Sequence, residues 1–286
     1  MWRNFEDRVH KLSASKSLIS YKEMEEVANR IGMFDDQDIL QAIRFLADLG
    51  SVQYFESTGL KDKVVINPQW IVNVMACVVS IKESSVSNGR LNHDDIEAIW
   101  NEYPKELHQW MLRLTEEFDL TFLVPEENMS IVPCLLPDKD PDFEWPEIVK
   151  SSSNHNKIKE FQVVYTFAYI PAGLFNRIQV RLYNYADNTT IWKNGSLLNK
   201  NNHLALIKQI KKTQEIQVKV HGIKPENIIF IIHEVIETLI EEAFHGITYD
   251  YSFPCPDCVE EQYSDPCLFS SGLLRRAVDY KVRICF

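Results

Sequence analysis

Residues 35–66 read DDQDILQAIRFLADLGSVQYFESTGLKDKVVI and carry the clearest structural pattern in the first half of the chain. Either aspartate at the start can cap a helix, because an aspartate side chain accepts hydrogen bonds from the free N–H groups there. Apolar residues then recur at helical spacing up to Gly50. Two stretches with strand character, 51–55 and 63–66, follow and are joined by a Ser-Thr-Gly turn. A helix followed by a β-hairpin is therefore predicted.

The same order of elements is predicted twice in the first half. Ser20 and Glu23 form a capping box that opens an earlier helix, which ends at Gly32. Two helices and a hairpin are the pattern of a winged helix. After an apolar helix over 69–80, this pattern is predicted again, as helices at 93–101 and 105–118 and strands at 120–124 and 129–135.

A proline-rich stretch and then a Ser/Asn-rich stretch mark a domain boundary, so we expect a first domain over 1–148 and a second over 158–286. In the second domain, Asn194-Gly195 predicts a hairpin with a type I′ turn, because both residues tolerate a positive φ. Strands are also predicted at 161–169, 204–210 and 216–220, and helices after Gly173 and over 225–244. The predicted class is α+β, a tandem winged-helix-like helical half followed by a mixed sheet-plus-helix domain.

The charge balance argues against nucleic acid as a partner. The net charge is -11 and the isoelectric point is near 5.3, so the average field repels phosphate backbones. A winged helix that binds DNA needs a basic second helix. Arg44 is the single basic residue of 36–49, and 105–118 sets Lys105 and Arg113 against three glutamates. A winged-helix nucleic-acid-binding protein is therefore the weaker alternative.

One basic cluster lies in the second domain, and it consists of Lys208, Lys211, Lys212 and Lys219. Lysines of this kind commonly protect an edge strand from pairing with another molecule. We interpret them as a solvated edge strand that is protected by its lysines.

The sequence favours a cytoplasmic location. Its longest apolar run, 70–81, is shorter than the roughly 20 residues that a bilayer span needs. The first residues lack the layout of a secretory signal, and six cysteines in a chain of this size suit a reducing compartment. The chain ends inside an apolar pattern, so we expect it to be part of a longer protein.

No catalytic or cofactor-binding residues are predicted. The sequence has no phosphate-binding P-loop, no glycine-rich kinase loop and no nucleophile elbow. His233-Glu234 resembles part of a zinc-protease helix, but Glu237 occupies the place of the second histidine. Glu242 and His245 lack the second such pair that a di-iron site needs.

Four cysteines lie in the tail of the chain. Cys255 and Cys258 form a C-x-x-C motif, and Cys267 and Cys285 could complete a tetrahedral zinc site. Two alternatives stay open, namely unligated thiols and a redox pair.

Several motifs in order along the chain resemble the COR domain of Roco proteins. In the first half they are Leu49-Gly50, Tyr54-Phe55, Leu60-Lys61-Asp62, Val65-Ile66-Asn67-Pro68-Gln69-Trp70, Phe122-Leu123-Val124-Pro125 and Val132-Pro133-Cys134-Leu135-Leu136-Pro137. In the second half they are Tyr169-Ile170-Pro171-Ala172-Gly173-Leu174-Phe175 with Arg177, and Trp192-Lys193-Asn194-Gly195. Each motif is short, and their common order makes the resemblance specific.

The resemblance implies a non-catalytic regulatory module placed directly after a Ras-like GTPase (Roc) domain, which would bind GTP or GDP. The first half would pack against that domain and its switch region, and the second half would form a homodimer. Leucine-rich repeat kinases are the best-known members, so a GTPase, and in such members also a kinase, is implied for the parent protein. Those kinases have an aromatic residue at the position of Val64 here, so that contact does not carry over.

Overall fold

The computed structural model describes residues 2–80, 86–146, 158–255, 258–259 and 266–281. The chain divides into two compact units, Met1–Cys134 and Leu135–Phe286. Both units combine helices with antiparallel sheets, so the predicted α+β class is confirmed.

The first part of unit 1 is a group of helices with a small sheet. Its elements are α1 (Trp2–Ser13), β1 (Leu18–Ser20), α2 (Tyr21–Asn29), α3 (Asp36–Asp48), β2 (Gln53–Tyr54), β3 (Lys63–Val65) and α4 (Gln69–Val79). The predicted helix, helix and hairpin are present, and β1 adds a third strand to give the order β1-β3-β2. Both predicted caps form, since Ser20 accepts from the Glu23 N–H at 3.1 Å and Asp35 accepts from the Gln37 N–H at 2.8 Å.

The second part of unit 1 has a four-stranded sheet in the order β4-β5-β7-β6. Its elements are β4 (Val86–Ser87), β5 (Arg90–Asn92), a 3-10 turn (His93–Asp95), α5 (Ile96–Ile99), α6 (Lys105–Glu117), β6 (Phe122–Val124) and β7 (Met129–Ile131). Strand β4 lies in the polar stretch before residue 90. The helix predicted over 93–101 is wrong in extent, because its first turn is 3-10 and α5 ends at Ile99.

Unit 2 is built on a seven-stranded sheet in the order β14-β13-β8-β12-β11-β10-β9. Its elements are β8 (Lys159–Phe167), α7 (Leu174–Tyr185), β9 (Asn188–Trp192), β10 (Gly195–Lys200), β11 (His203–Ile210), β12 (Glu215–Gly222), α8 (Pro225–Ala243), β13 (Tyr249–Pro254), β14 (Leu268–Ser270) and α9 (Ser271–Asp279). Helices α7 and α8 pack on one face, where alternate strand residues such as Val163, Tyr165 and Val218 join the core.

The hairpin at Asn194-Gly195 forms, but its predicted turn type is wrong. Trp192 pairs directly with Gly195, so the two turn residues are Lys193 and Asn194, and neither has a positive φ. Gly195 is required for another reason. A Cβ atom there would clash with the buried indole of Trp192, which lies across the glycine backbone.

Candidate functional site

The α3 and α6 surfaces do not present a basic face for nucleic acid. The Arg44 guanidinium donates to both carboxylate oxygens of Glu56, at 2.6 and 2.7 Å, and this bond lowers the pKa of the Glu56 carboxyl. Lys105 on α6 is paired with Glu97 at 2.5 Å. The winged-helix alternative therefore gains no support from either helix.

Helix α3 instead carries uncovered apolar side chains. Phe45 is 47% exposed, and its ring meets that of Trp2 edge to face with the ring centroids 5.6 Å apart. Leu49, at the C-terminal end of α3, is also exposed. Asp36, Asp38 and Asp48 lie on the same helix, so the α3 patch of Trp2, Phe45 and Leu49 has acidic surroundings. An apolar centre with a charged rim is the usual anatomy of a protein-binding surface.

The Val64 side chain is buried and therefore cannot contact a partner protein. Val64 lies on β3 between Ile19 of β1 and Tyr54 of β2, and it is fully buried in the core of unit 1. The sequence departs from the leucine-rich repeat kinases here, and in this structure the side chain serves packing.

Unit 2 exposes apolar side chains at its last described helix. Helix α9 has no buried residue, although its sequence is strongly amphipathic. Its exposed apolar side chains, and the one at its C-cap, are Leu273, Val278 and Tyr280.

The outer face of the sheet, opposite α7 and α8, holds two lysines of the predicted basic cluster. Strand register places Lys208 beside Gly195 and Lys219 beside Gln162 on this face. Both lysines are already paired, Lys208 with Asp140 at 2.5 Å and Lys219 with Glu160 at 3.0 Å. These two members of the cluster are therefore engaged inside the unit, and the predicted edge strand is wrong, because β11 and β12 are interior strands of the sheet.

Residues 137–145, here called the linker segment, contact this face through Asp138, Asp140 and Trp145. The Lys193 N–H donates to the Pro137 carbonyl at 2.9 Å, and the Lys193 ammonium lies 2.8 Å from the Asp138 carboxylate. Asp140 then meets Lys208. Because Trp192 pairs with Gly195, its side chain also lies on the outer face of the sheet. It is nevertheless only 1% exposed.

The linker segment ends at the ion pair of Lys219 and Glu160, whose carboxylate is buried. The Trp145 indole N–H donates to Glu160 at 2.7 Å, and the Lys219 ammonium lies 4.9 Å from the Trp145 ring centroid. The Glu160 side chain is 8% exposed and also accepts from Gln162 at 2.8 Å. His221 meets Trp145 edge to face, and its Nδ1 is buried without a hydrogen-bond partner among the described residues.

The sequence did not predict that the linker segment contacts the outer face of the sheet. The lysines and the proline-rich boundary were recognised as two separate features. The available signal was opposite charge, since 137–145 holds acidic residues at every second position, which are Asp138, Asp140, Asp142 and Glu144.

Several titratable side chains of unit 2 are buried or paired with other side chains. Burial raises the pKa of the Tyr165 and Tyr249 phenols, so both stay protonated at neutral pH. His233 stacks on Tyr165 and lies 3.3 Å from Glu237. Glu242, which in sequence resembles half of a di-iron site together with His245, is paired with Arg181.

Three of the four predicted zinc ligands lie near one another, and Cys285 lies outside the described residues. The Cys255 N–H donates to the Cys267 carbonyl at 2.7 Å, and the thiols of Cys255 and Cys258 are hydrogen-bonded. Within the described ranges, no three His, Cys, Asp or Glu side chains are arranged to hold a metal ion. Zinc therefore stays a prediction, and less than about half an equivalent of zinc in the purified protein would reject it.

Family models match almost the whole chain. The model described as "C-terminal of Roc, COR-A domain" matches residues 1–136, and the one described as "C-terminal of Roc, COR-B domain" matches residues 158–284. No helix among the described residues is both long and apolar enough to cross a bilayer.

Curated relatives agree with these models. The probable serine/threonine-protein kinase pats1 of Dictyostelium discoideum is 29% identical over 84% of this chain and 8% of its own length. The probable kinase qkgA of the same organism is 33% identical over 66% of this chain and 13% of its own length. A Roc-COR-CHAT protease of Runella zeae is 26% identical over 69% of this chain and 20% of its own length. This chain thus spans 8 to 20% of the length of these relatives.

One solved structure, titled "Structure of methanosarcina barkeri Roco2 RocCORdC bound to GDP", is similar with a TM-score of 0.43 and 23% identity. The similarity covers 47% of this chain and 43% of that chain. The two family models cover both halves in the order that the motifs predicted. This chain therefore belongs to the COR domains of the Roco family, with a COR-A half followed by a COR-B half.

Proposed function

We propose that this COR domain is a non-catalytic regulatory and dimerisation module. It packs against the Roc GTPase domain of its parent protein and couples the nucleotide state of that domain to dimerisation or to an effector domain. The parent protein is then a GTPase, and in a kinase-bearing member also a kinase, acting in cytoplasmic signalling. Relatives named as a probable serine/threonine-protein kinase and as a Roc-COR-CHAT protease support such a multidomain parent.

The observation that carries the proposal is the α3 patch. Phe45 and Leu49 project from a helix whose other face is buried in the unit 1 core, so the patch has firm backing. Large apolar side chains on a rigid element contribute strongly to protein binding when a partner removes them from water. We infer that the patch receives the Roc domain.

Dimerisation is assigned to the COR-B half, as in the family resemblance. Helix α9 supports this assignment, because its apolar side chains are uncovered and Arg275 and Arg276 lie beside Asp279. Two copies of such a helix can satisfy both charge signs when they pack in opposite directions. GTP and GDP bind the neighbouring domain in this proposal, and the COR domain itself holds no nucleotide.

The test is the binding of this chain to the Roc domain of the same parent protein, loaded with GDP or with a non-hydrolysable GTP analogue. Sedimentation velocity should show a complex and a nucleotide-dependent dimer fraction. Phe45→Ser should weaken the complex about tenfold, a typical loss for a moderate interface anchor. Val72→Ser is the matched control, because Val72 is a 57% exposed apolar residue on α4 and should change affinity less than about twofold.

Two results would overturn the proposal. One is a monomer that ignores the Roc domain in both nucleotide states. The other is a turnover activity of residues 1–286 alone.

A further inference from the structure

The outer face of the COR-B sheet carries groups that contact the linker segment at two places. Basic side chains lie near its β10–β11 end, and Glu160, Lys219 and His221 lie near the start of β8. Between them, Leu206 pairs with Lys219 and Leu197 in register, which adds apolar surface to the same face. The linker segment contacts this surface at both places, through Asp138 and Asp140 at one and Trp145 at the other.

The features of the linker segment match the surface one by one. Asp138 and Asp140 meet Lys193 and Lys208, which gives two ion pairs two residues apart, the spacing of an extended chain. Pro137 and Pro141 favour the extended conformation and lower the entropy lost on binding. Trp145 supplies an aromatic anchor whose N–H reaches a buried carboxylate.

The strengths of these contacts differ along the segment. The lysine and aspartate side chains of the two ion pairs are between 33% and 80% exposed, and such pairs contribute little in salt. The Trp145 contact is more enclosed, because Glu160 is 8% exposed beneath the indole. A segment held by one anchor, one backbone hydrogen bond and two screened ion pairs opens at low cost compared with the sheet below it.

We propose that the outer face of the COR-B sheet is a recognition surface for extended acidic peptides that carry a tryptophan, and that residues 137–145 are its resident occupant. An external segment of the same chemistry binds by displacing them. The basic groups Lys193, Lys208 and Lys219 select the charge of the ligand, and Glu160 together with His221 selects an aromatic donor.

The proposal is tested with a fluorescent peptide of sequence PDKDPDFEWP, residues 137–146, and the full chain. The resident segment is weakened by Asp138→Lys, Asp140→Lys and Trp145→Ala in one variant. A milder variant, Asp138→Asn with Asp140→Asn, is measured beside it in case the first one folds poorly. Fluorescence anisotropy should show peptide binding to both variants, at least about fivefold tighter than to the wild-type chain.

Charge and aromatic selectivity are then separated. Adding Lys208→Glu to the weakened chain should lower peptide affinity about tenfold, whereas Lys212→Glu, an equal charge change at an exposed position beyond the end of β11, should lower it less than about twofold. A peptide with alanine in place of its tryptophan should bind at least about fivefold more weakly. Raising salt from about 50 to about 300 mM should weaken binding.

Three outcomes would refute the recognition surface. The first is no binding of about 1 mM peptide to a weakened chain that retains its fold by circular dichroism. The second is an equal loss with Lys208→Glu and Lys212→Glu, which indicates nonspecific charge attraction. The third is an affinity that ignores the tryptophan of the peptide. None of these outcomes depends on the Roc domain, so they leave the proposed regulatory function to its own test.

Discussion

The COR-A and COR-B halves differ in how their own chain covers their surfaces. On α3 of COR-A, Arg44 is neutralised by nearby Glu56, and apolar side chains are left uncovered. On the COR-B sheet, Lys208 is neutralised by Asp140, which lies 68 residues away in the sequence, and the linker segment lies against the outer face. The comparison teaches that COR-A leaves the α3 patch uncovered, whereas COR-B places its own chain on a sheet face.

The largest predicted effect contrasts two glycines. Gly195→Ala in COR-B should lower the free energy of unfolding by about 2–3 kcal/mol, because its Cβ would clash with the rigid, buried Trp192 indole. Gly59→Ala in COR-A meets the exposed, flexible Arg113 side chain, so its main cost is the strained φ of +93°, about 1 kcal/mol. Urea unfolding of both variants measures the difference, and equal losses would contradict the rigid contact.

The next effect removes the anchor of the linker segment. Trp145→Ala should destabilise the COR-B half by about 1–2 kcal/mol, because the Glu160 Oε2 atom loses its indole donor while Oε1 keeps its contacts with Gln162 and Lys219. It should also speed tryptic cleavage after Lys139, which lies in the segment. Trp145→Phe is the control that keeps the ring and loses the N–H. Unchanged cleavage in Trp145→Ala would mean that the segment is not held by this contact.

A smaller effect is expected on the open surface of COR-A. Phe45→Ser should lower the free energy of unfolding by less than about 1 kcal/mol. The Phe45 ring is half exposed, so the substitution removes mainly its contact with Trp2. Thermal or urea unfolding checks this value. A loss above about 2 kcal/mol would mean that Phe45 belongs to the core and not to a contact surface.

The smallest effect is a pH dependence in COR-A. Burial lowers the pKa of His93 from its usual 6.5, and its Nε2 lies 2.9 Å from the Ser130 hydroxyl. The folded state therefore binds the proton less well than the unfolded state. Stability is complete above pH 6.5 and falls as the pH drops from 6.5 towards the lowered pKa.

The control for this prediction is His93→Gln. This variant should lose less stability than the wild type between pH 7.5 and pH 5.5, as measured by urea unfolding at about those values. An identical pH dependence of the two proteins would assign the effect to other groups.

Local patterns predicted much of the fold. The caps at Ser20 and Asp35 form because they depend on residues two or three positions away. The turn at Lys193-Asn194 was misassigned because its glycine is needed for a close approach to Trp192, which no local rule reveals. β13, β14 and α9 were not predicted, since the tail was described only by its cysteines.

The candidate surfaces were less predictable than the fold. The sequence showed that α3 is acidic but not that Phe45 stays uncovered, because exposure depends on how the helix is rotated against its neighbours. It showed four lysines but not that Asp140 reaches Lys208 and that Trp145 covers Lys219, because these contacts join segments far apart in the chain. Both surfaces are therefore products of tertiary structure.

The place of β13 in the sheet has a practical consequence for truncated proteins. β13 pairs with β8, so β8 is an interior strand, flanked on its other side by β12. A protein that stops before Tyr249 would turn this long apolar strand into an open edge, which is a template for aggregation. Expression boundaries for COR-B should therefore keep the chain through Ser270, even where a shorter version looks complete by its helices.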